Sequence, residues 1–471
     1  MLQRRKNHNI GIFLPPSPRG PGMIKSPALD VAIMISILKK AENNNVRLFD
    51  LRANIIAQDS FWLKRGVDLG VFNDFKLCFN HVLLKKSPKI DLTVKKILKE
   101  VSLDNLNFVI FFVSVIEQFS LQFFTSALCI AAQLKTNDPS IKIIFAGNCP
   151  KSHIRQIMRR FEFLDAFLED GNEYAILEYI KNLSTSKALK SVTYRDGNKL
   201  ILPKANLALQ LNKPALPDFS LFDLEKYKSH GKLVFPYELS RGCVNNCFFC
   251  YYIYKGGKIY KKNYKYSVKE LICLKNQYNV RRFHFIDAEI NFDNEYLNNF
   301  CKELVREKAE ILWSALAIPA KLDFDLLKLM RESGCVQLRF GVESGGSELL
   351  KNINKNTTST EMSQVLKDTH NAGIYTYVTL INGLPMEKEN DIFGTKSFLY
   401  KNRKYIDSAT ICDYGELGHF GINVLENLLK TGKNMQASQE IRSTGRLLRS
   451  YAKRIGLNEI DIIDDFLSKI D

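Results

Sequence analysis

Apolar residues in this chain arrive in two alternating rhythms. Short runs at Ile10–Leu14, Val46–Asp50, Asn107–Val113, Lys142–Ala146 and Ala166–Glu169 have the length and composition of buried strands. Between them, Ala28–Asn43 and Phe119–Leu134 carry apolar residues at helical spacing. Strand and helix in alternation predict an open parallel sheet covered by helices, which binds ligands where its strands end. The Pro15–Gly22 loop and Ala146-Gly147-Asn148 fall at that edge. Periodicity fades over 184–232, where Pro203, Pro214 and Pro217 break the chain, and this stretch reads as a linker. From Leu233 the alternation resumes. Its predicted strands are Leu233–Leu239, Arg282–Ile286, Ile311–Ala315, Val336–Phe340, Tyr375–Ile381 and Ser408–Cys412, and Asp325–Ser333 is a helix stopped by Gly334. Beyond them, 416–471 reads as amphipathic helices with a basic cluster at Arg442–Arg454. The expected division is therefore 1–183, 184–232, 233–415 and 416–471.

At 471 residues the chain exceeds one ordinary core, so more than one domain is expected. Met1–His8 is polar and basic and precedes only a short apolar run, which is not the pattern of a secretory signal. Phe108–Leu134 is the most apolar region, but Glu117 and Gln118 interrupt it well short of a membrane span. A cytoplasmic location follows as the expectation. The formal charge of +17 would attract nucleic acid or an anionic membrane surface if it were concentrated. Lys151–Arg160 and Lys255–Lys269, the latter interleaved with Tyr260, Tyr264 and Tyr266, are the candidate patches. Lysine spread over the whole chain is more simply a solvated surface, and nucleic acid is the less favoured partner.

Ten cysteines without a secretory signal point to metal chemistry rather than disulfides. Three of them, Cys243, Cys247 and Cys250, share the loop Arg241-Gly242-Cys243-Val244-Asn245-Asn246-Cys247-Phe248-Phe249-Cys250 after a predicted strand. An iron-sulfur cubane takes one thiolate per iron, so three thiolates leave one iron open for chemistry. Zinc is the alternative and needs a fourth ligand from far along the chain. Cys78, Cys129, Cys149, Cys273, Cys301, Cys335 and Cys412 lie in apolar or helical contexts and read as buried, inert thiols. His284 and His370 read as packing residues.

Cys-x-x-x-Cys-x-x-Cys with an aromatic residue before the last cysteine resembles the signature of the radical S-adenosylmethionine (radical SAM) superfamily. The resemblance implies a 4Fe-4S cluster on the three cysteines and S-adenosylmethionine (SAM) on the open iron. One electron from an external donor then splits SAM to a 5′-deoxyadenosyl radical. It implies a partial (β/α)6 TIM-type barrel over 233–415, with Phe249 near the adenine. Tyr251 and Tyr252 read equally well as ordinary wall residues. Gly341-Val342-Glu343-Ser344-Gly345 matches a recurring superfamily pattern, which makes Glu343, and more weakly Ser344, candidate SAM contacts. Asp287 of Asp287-Ala288-Glu289 is balanced between a cofactor contact and a loop cap. Gly383, in Asn382-Gly383-Leu384-Pro385-Met386-Glu387, resembles the turn beneath the adenine. Gly415–Gly421 stands where relatives carry a proline-glycine-threonine turn.

Residues 1–183 are similar to the Rossmann-like cobalamin-binding domain that precedes the barrel in one class of the superfamily. The carriers are the proline-rich first loop, Phe145–Asn148 and Asp170-Gly171-Asn172-Glu173. Pro217–Leu224 resembles the segment that leads into the barrel. A sheet of this kind that no longer binds a corrinoid is the competing reading. The class implies methylation, ring formation or rearrangement at an unactivated carbon of a small-molecule or natural-product substrate. A tRNA-modifying methylthiotransferase is the first alternative, but it carries a second cluster on three amino-terminal cysteines, for which Cys78, Cys129 and Cys149 are poorly placed. A non-catalytic scaffold with a degenerate barrel is the second.

Overall fold

The computed structural model describes residues 8–16, 26–41, 44–52, 61–84, 87–113, 120–147, 149–169, 173–183, 189–203, 215–250, 258–414, 439–457 and 467. These fall into two compact units that meet in sequence between Tyr227 and Lys228.

The first unit is built on a seven-stranded sheet. Its strands are β1 His8–Leu14, β2 Asn44–Asp50, β3 Phe108–Phe112, β4 Lys142–Ala146, β5 Ala166–Leu168, β6 Val192–Asp196 and β7 Lys199–Ile201. They lie in the order β2-β1-β3-β4-β5-β6-β7, with parallel pairing from β2 through β5. The side chains of Ile10, Ile12, Val109, Ile110, Ile143 and Ile144 are fully buried, as strands covered on both faces require. Helices Leu29–Lys40 and Ser120–Asn137 match the predicted pair, and Phe75–Leu84 and Pro88–Lys99 join them. The 2-1-3-4-5 order reverses direction between β1 and β3, and in open α/β sheets the crevice at such a reversal binds ligands.

The expected linker contains structure. Asp196-Gly197 makes a tight turn with Gly197 in the left-handed region, and β6 and β7 pair antiparallel across it. β6 in turn pairs antiparallel with β5, so residues 192–201 extend the sheet. Residues 215–227 also belong to the first unit: Asp218 donates its N–H to Ala32 O, and its carboxylate pairs with Lys39 at 3.0 Å.

The second unit carries β8 Val234–Tyr237, β9 Ser240–Gly242, β10 Ile259–Lys261, β11 Arg282–Phe285, β12 Leu312–Ala317, β13 Cys335–Glu343, β14 Tyr375–Asn382 and β15 Ser408–Asp413. Six of these form an all-parallel sheet in the order β15-β14-β13-β12-β11-β8. Each strand pairs with the next in sequence, while β8 and β15 remain as edges, so the sheet is a partial barrel. Helices fill the crossovers, and most start at a side-chain cap: Asn263, Asp293, Asp323 and Thr358 each accept from a backbone N–H in the first turn. Gly334, in the left-handed region, ends Phe324–Glu332 as expected. Trp313, Phe283, Phe285, Phe300 and Leu327 form part of its fully buried core. The helix Gln439–Arg454 is the described part of the carboxyl-terminal region.

No helix among the described residues is long and apolar enough to cross a membrane. Most of the Pro15–Gly22 loop, Asp170 to Asn172, Tyr251, Tyr252 and Gly415–Gly421 lie outside the described residues. Of the cysteines read as buried, Cys273 is exposed on the outer side of Tyr264–Tyr278 and Cys412 is half-buried; the other five are buried.

Candidate metal centre

The cysteine loop begins where β8 ends. Asp287, just past β11, accepts hydrogen bonds from the Leu239 N–H (3.0 Å), the Ser240 N–H (2.6 Å) and the Ser240 hydroxyl (2.6 Å), which fixes the chain entering the loop. Gly242 then adopts φ +104°, and a Cβ there would strike Lys258 O on the neighbouring ladder of β9 and β10. Only glycine satisfies both conditions. Farther on, Phe248 donates its N–H to Ile353 O at 3.1 Å, and Asn354 reaches Asn246 O at 3.2 Å. The loop is thus held at both ends by backbone-directed bonds, and the Cys247 thiol adds a contact to the Asn354 carbonyl at 3.9 Å.

Cys243, Cys247 and Cys250 line one cavity of about 650 Å³ at the carboxyl end of the six-stranded sheet. Among the described residues, no three His, Cys, Asp or Glu side chains converge on a single ion position. A cubane takes each thiolate on a different iron. The donor set fits such a cluster by its chemistry: three soft sulfurs sharing one cavity.

Polar neighbours distinguish two of the three sulfurs, Cys243 and Cys247. Asn245 donates to Cys243 Sγ from its N–H (3.4 Å) and its side-chain amide (3.5 Å), and the same amide donates to Glu289 at 2.8 Å. Burial and the adjacent Glu289 push the Cys243 thiol up to about 11, so without metal it carries a proton. Burial also raises Cys247, against the pull of Lys355. Metal binding here would release protons. Burial raises Glu289 as well, offset by Cys243, Lys355 and Asn245.

Glu343 ends β13 with φ +63°, a left-handed conformation uncommon for glutamate, at a register shift against β14. Its carboxylate meets Lys355 Nζ at 3.1 Å, with both side chains 9% exposed. A Cβ on Gly341 would collide with this pair, so glycine leaves room for it. Burial pulls Lys355 down, but Glu343 and the nearby thiols outweigh it and hold the lysine above its usual value.

Of the predicted site residues, the structure brings Cys243, Cys247, Cys250, Phe249, Asp287 and Glu343 to the same cavity. Ser344 does not line it: it is fully buried, its hydroxyl engaged with Thr395 and the Gly346 N–H. Gly383 does not line it either, and its N–H goes to Glu387 at 2.6 Å. Lys355, Glu289 and Asn245 were not singled out from sequence. The only signal for Lys355 was its distance past the Gly-Val-Glu-Ser-Gly run, which says nothing until Asn354 turns the chain in the left-handed region. His284 is buried and bonded to Ser314 at 2.8 Å, a packing contact as read, and His370 is partly exposed beside Tyr405. In the lysine-tyrosine stretch, Lys262 is buried against Glu270 and the Tyr237 ring, and Lys261 pairs with Asp293.

Residues 237–399 match the radical SAM superfamily, and the chain has that superfamily's fold. One similar solved structure is OxsB, a cobalamin-dependent SAM radical enzyme determined with aqua-cobalamin and SAM (TM-score 0.62, 17% identity, covering 96% of this chain and 62% of that one). Another is TsrM from Kitasatospora setae, a radical SAM methyltransferase determined with tryptophan and a SAM analogue (TM-score 0.60, 14% identity, 86% and 73%). An uncharacterized methyltransferase of Pyrococcus horikoshii is 24% identical over 280 residues, covering 58% of this chain and 61% of that protein. The chain thus spans less than two thirds of that relative's length.

Proposed function

We propose that the chain is a cobalamin-dependent radical SAM enzyme that modifies an unactivated carbon of a small-molecule substrate, most simply by methylation. The carrying observation is that Cys243, Cys247 and Cys250 share one cavity whose other polar walls set acids against a buried lysine. The three thiolates would hold the cluster. A cluster with SAM on its fourth iron supplies one-electron cleavage of the sulfonium and a carbon radical able to take hydrogen from an inert C–H bond.

The chain's own residues position and shield. Asn245 holds Cys243 and Glu289 in one hydrogen-bonded unit, which orients the first sulfur. Glu289 and Glu343 supply negative charge for an ammonium or sulfonium group, and Lys355 supplies positive charge for a carboxylate. A zwitterionic sulfonium ligand matches that pattern. Phe249, Ile286, Phe292 and Leu316 give the apolar wall that an adenosyl group needs and keep water from it. The reductant is an external electron donor, and the oxygen lability of such clusters suits a cytoplasmic setting.

The corrinoid part of the proposal is supported by the first unit's strand order and by the resemblance of fold to OxsB and to TsrM, the latter also determined with cobalamin and a 4Fe-4S cluster bound. The methylthiotransferase alternative is not adopted, because Cys78, Cys129 and Cys149 are buried in the apolar core of the first unit rather than grouped on a loop. The test is 5′-deoxyadenosine release. Anaerobically reconstituted protein with dithionite and SAM is expected to release it, and Cys247→Ala to release none while losing iron. Equal release by both ends this reading.

A further inference from the structure

Below the cavity, the same face of the six-stranded sheet is polar, and two of its side chains carry buried polar atoms without hydrogen-bond partners. Ile286, Leu316, Gly341 and Thr379 line the cavity. Two residues earlier on each strand, and so on the same face, stand His284, Ser314, Arg339 and Tyr377. Register and contacts agree. Ser314 pairs with both His284 and Gln337, and Arg339 pairs with Tyr377. The His284 ring bonds the Ser314 hydroxyl at 2.8 Å, the Arg339 guanidinium lies 5.1 Å from the Tyr377 ring centre, and the Tyr377 hydroxyl meets Thr410 at 2.5 Å.

Gln337 is 1% exposed, yet neither its amide oxygen nor its amide nitrogen has a hydrogen-bond partner. Arg339 Nε is likewise buried and unbonded, and no carboxylate pairs with this arginine among the described residues. Buried orphans of this kind are costly, and a leucine at 337 would avoid the cost. The amino end of the face is closed: Leu467, fully buried, packs with Val234 and Val336, and its carbonyl accepts from Arg282 at 2.9 Å. What remains is a cation with no carboxylate partner among the described residues and an orphaned amide, with Arg339 in register with Leu316 of the cavity wall.

We infer that this polar face, with Arg339 and Gln337, binds the anionic group, carboxylate or phosphate, of the substrate, an assignment that rests on the function proposed above. A planar guanidinium beside a carboxamide offers N–H donors to an oxyanion, the chemistry for which arginine is suited. Arg339 is in register with Leu316 of the cavity wall on the neighbouring strand, so a group anchored there would lie beside the cavity.

The full chain, purified anaerobically, is titrated at constant ionic strength with selenate, a tetrahedral phosphate mimic, and with 4-bromobenzoate, a planar carboxylate. One of the two is expected to bind at one per chain, with Arg339→Gln weakening it about tenfold or more and Gln337→Leu severalfold. Binding of neither probe, or binding that both substitutions leave unchanged, overturns the inference. Should Arg339→Gln fold poorly, anomalous scattering from selenium or bromine in soaked wild-type crystals decides: a site beside Arg339 supports the inference, and a site elsewhere overturns it. Release of 5′-deoxyadenosine is measured on the same preparations. Its loss with anion binding intact counts against the proposed reaction and not against the anion site.

Discussion

Asp287 shows how one side chain can serve the site without being part of its chemistry. It lines the cavity, but its oxygens are occupied by the Leu239 and Ser240 backbone and by the Ser240 hydroxyl. Burial nevertheless pushes its carboxyl up from 3.8 to about 7, overriding those bonds. Between these two values the folded chain holds a proton that the unfolded chain has released. The stability contributed by Asp287 is therefore fully present below pH 3.8 and is lost as pH rises through about 7. Denaturant unfolding of the metal-free protein from pH 4.5 to 7 should show stability falling by up to about 1.4 kcal/mol per pH unit from this group. Asp287→Asn should flatten that slope whatever its effect on absolute stability. Parallel slopes for the two proteins would mean that Asp287 is ionised throughout and holds the loop as a carboxylate.

At the scale of elements, what the sequence made legible followed from local rules. The parallel strands announced themselves as apolar runs, because strands covered on both faces have no polar side to show. The three cysteines needed only their spacing. The β6–β7 hairpin was missed although Asp196-Gly197 between alternating residues is its signal, since the prolines further along dominated the reading of that stretch. Val336-Gln337-Leu338-Arg339-Phe340 carried a further message in its alternation: one face of a buried strand is polar, which apolar periodicity alone does not interpret. Lys355 and Leu467 were not legible, because each acts through a contact far away in sequence or through a turn that only the fold creates. Leu467 gives the sharpest test at this scale. Its side chain is fully buried against residues of β8 and β13, so Leu467→Ala should cost about 2–4 kcal/mol and lower the denaturant midpoint. Because this contact lies at the opposite end of the strands from the thiols, iron content and the cluster's visible absorption should be unchanged. A midpoint equal to wild type would show that the closure of the face contributes nothing to its stability.

At the scale of the whole molecule, two units of different architecture divide the proposed chemistry. The three thiols and the acid-lysine pair belong to the second, and the strand-order reversal belongs to the first. Corrinoid uptake and cluster assembly should then be separable by mutation. Gly147, at the carboxyl end of β4, has φ +126°, and a Cβ there would collide with Val113 O at the end of the neighbouring β3. An alanine must therefore move the chain at the edge where an open α/β sheet binds its ligand, in a conformation that L residues avoid. Titration of the full chain with aqua-cobalamin should show one equivalent bound, read from the corrinoid's visible spectrum. Cys247→Ala should retain that binding while losing iron, and Gly147→Ala should lose affinity while keeping the cluster and SAM cleavage. If the wild type takes up no corrinoid with its cluster intact, the first unit is a sheet without that ligand, and the reaction reduces to radical SAM chemistry on the second unit alone.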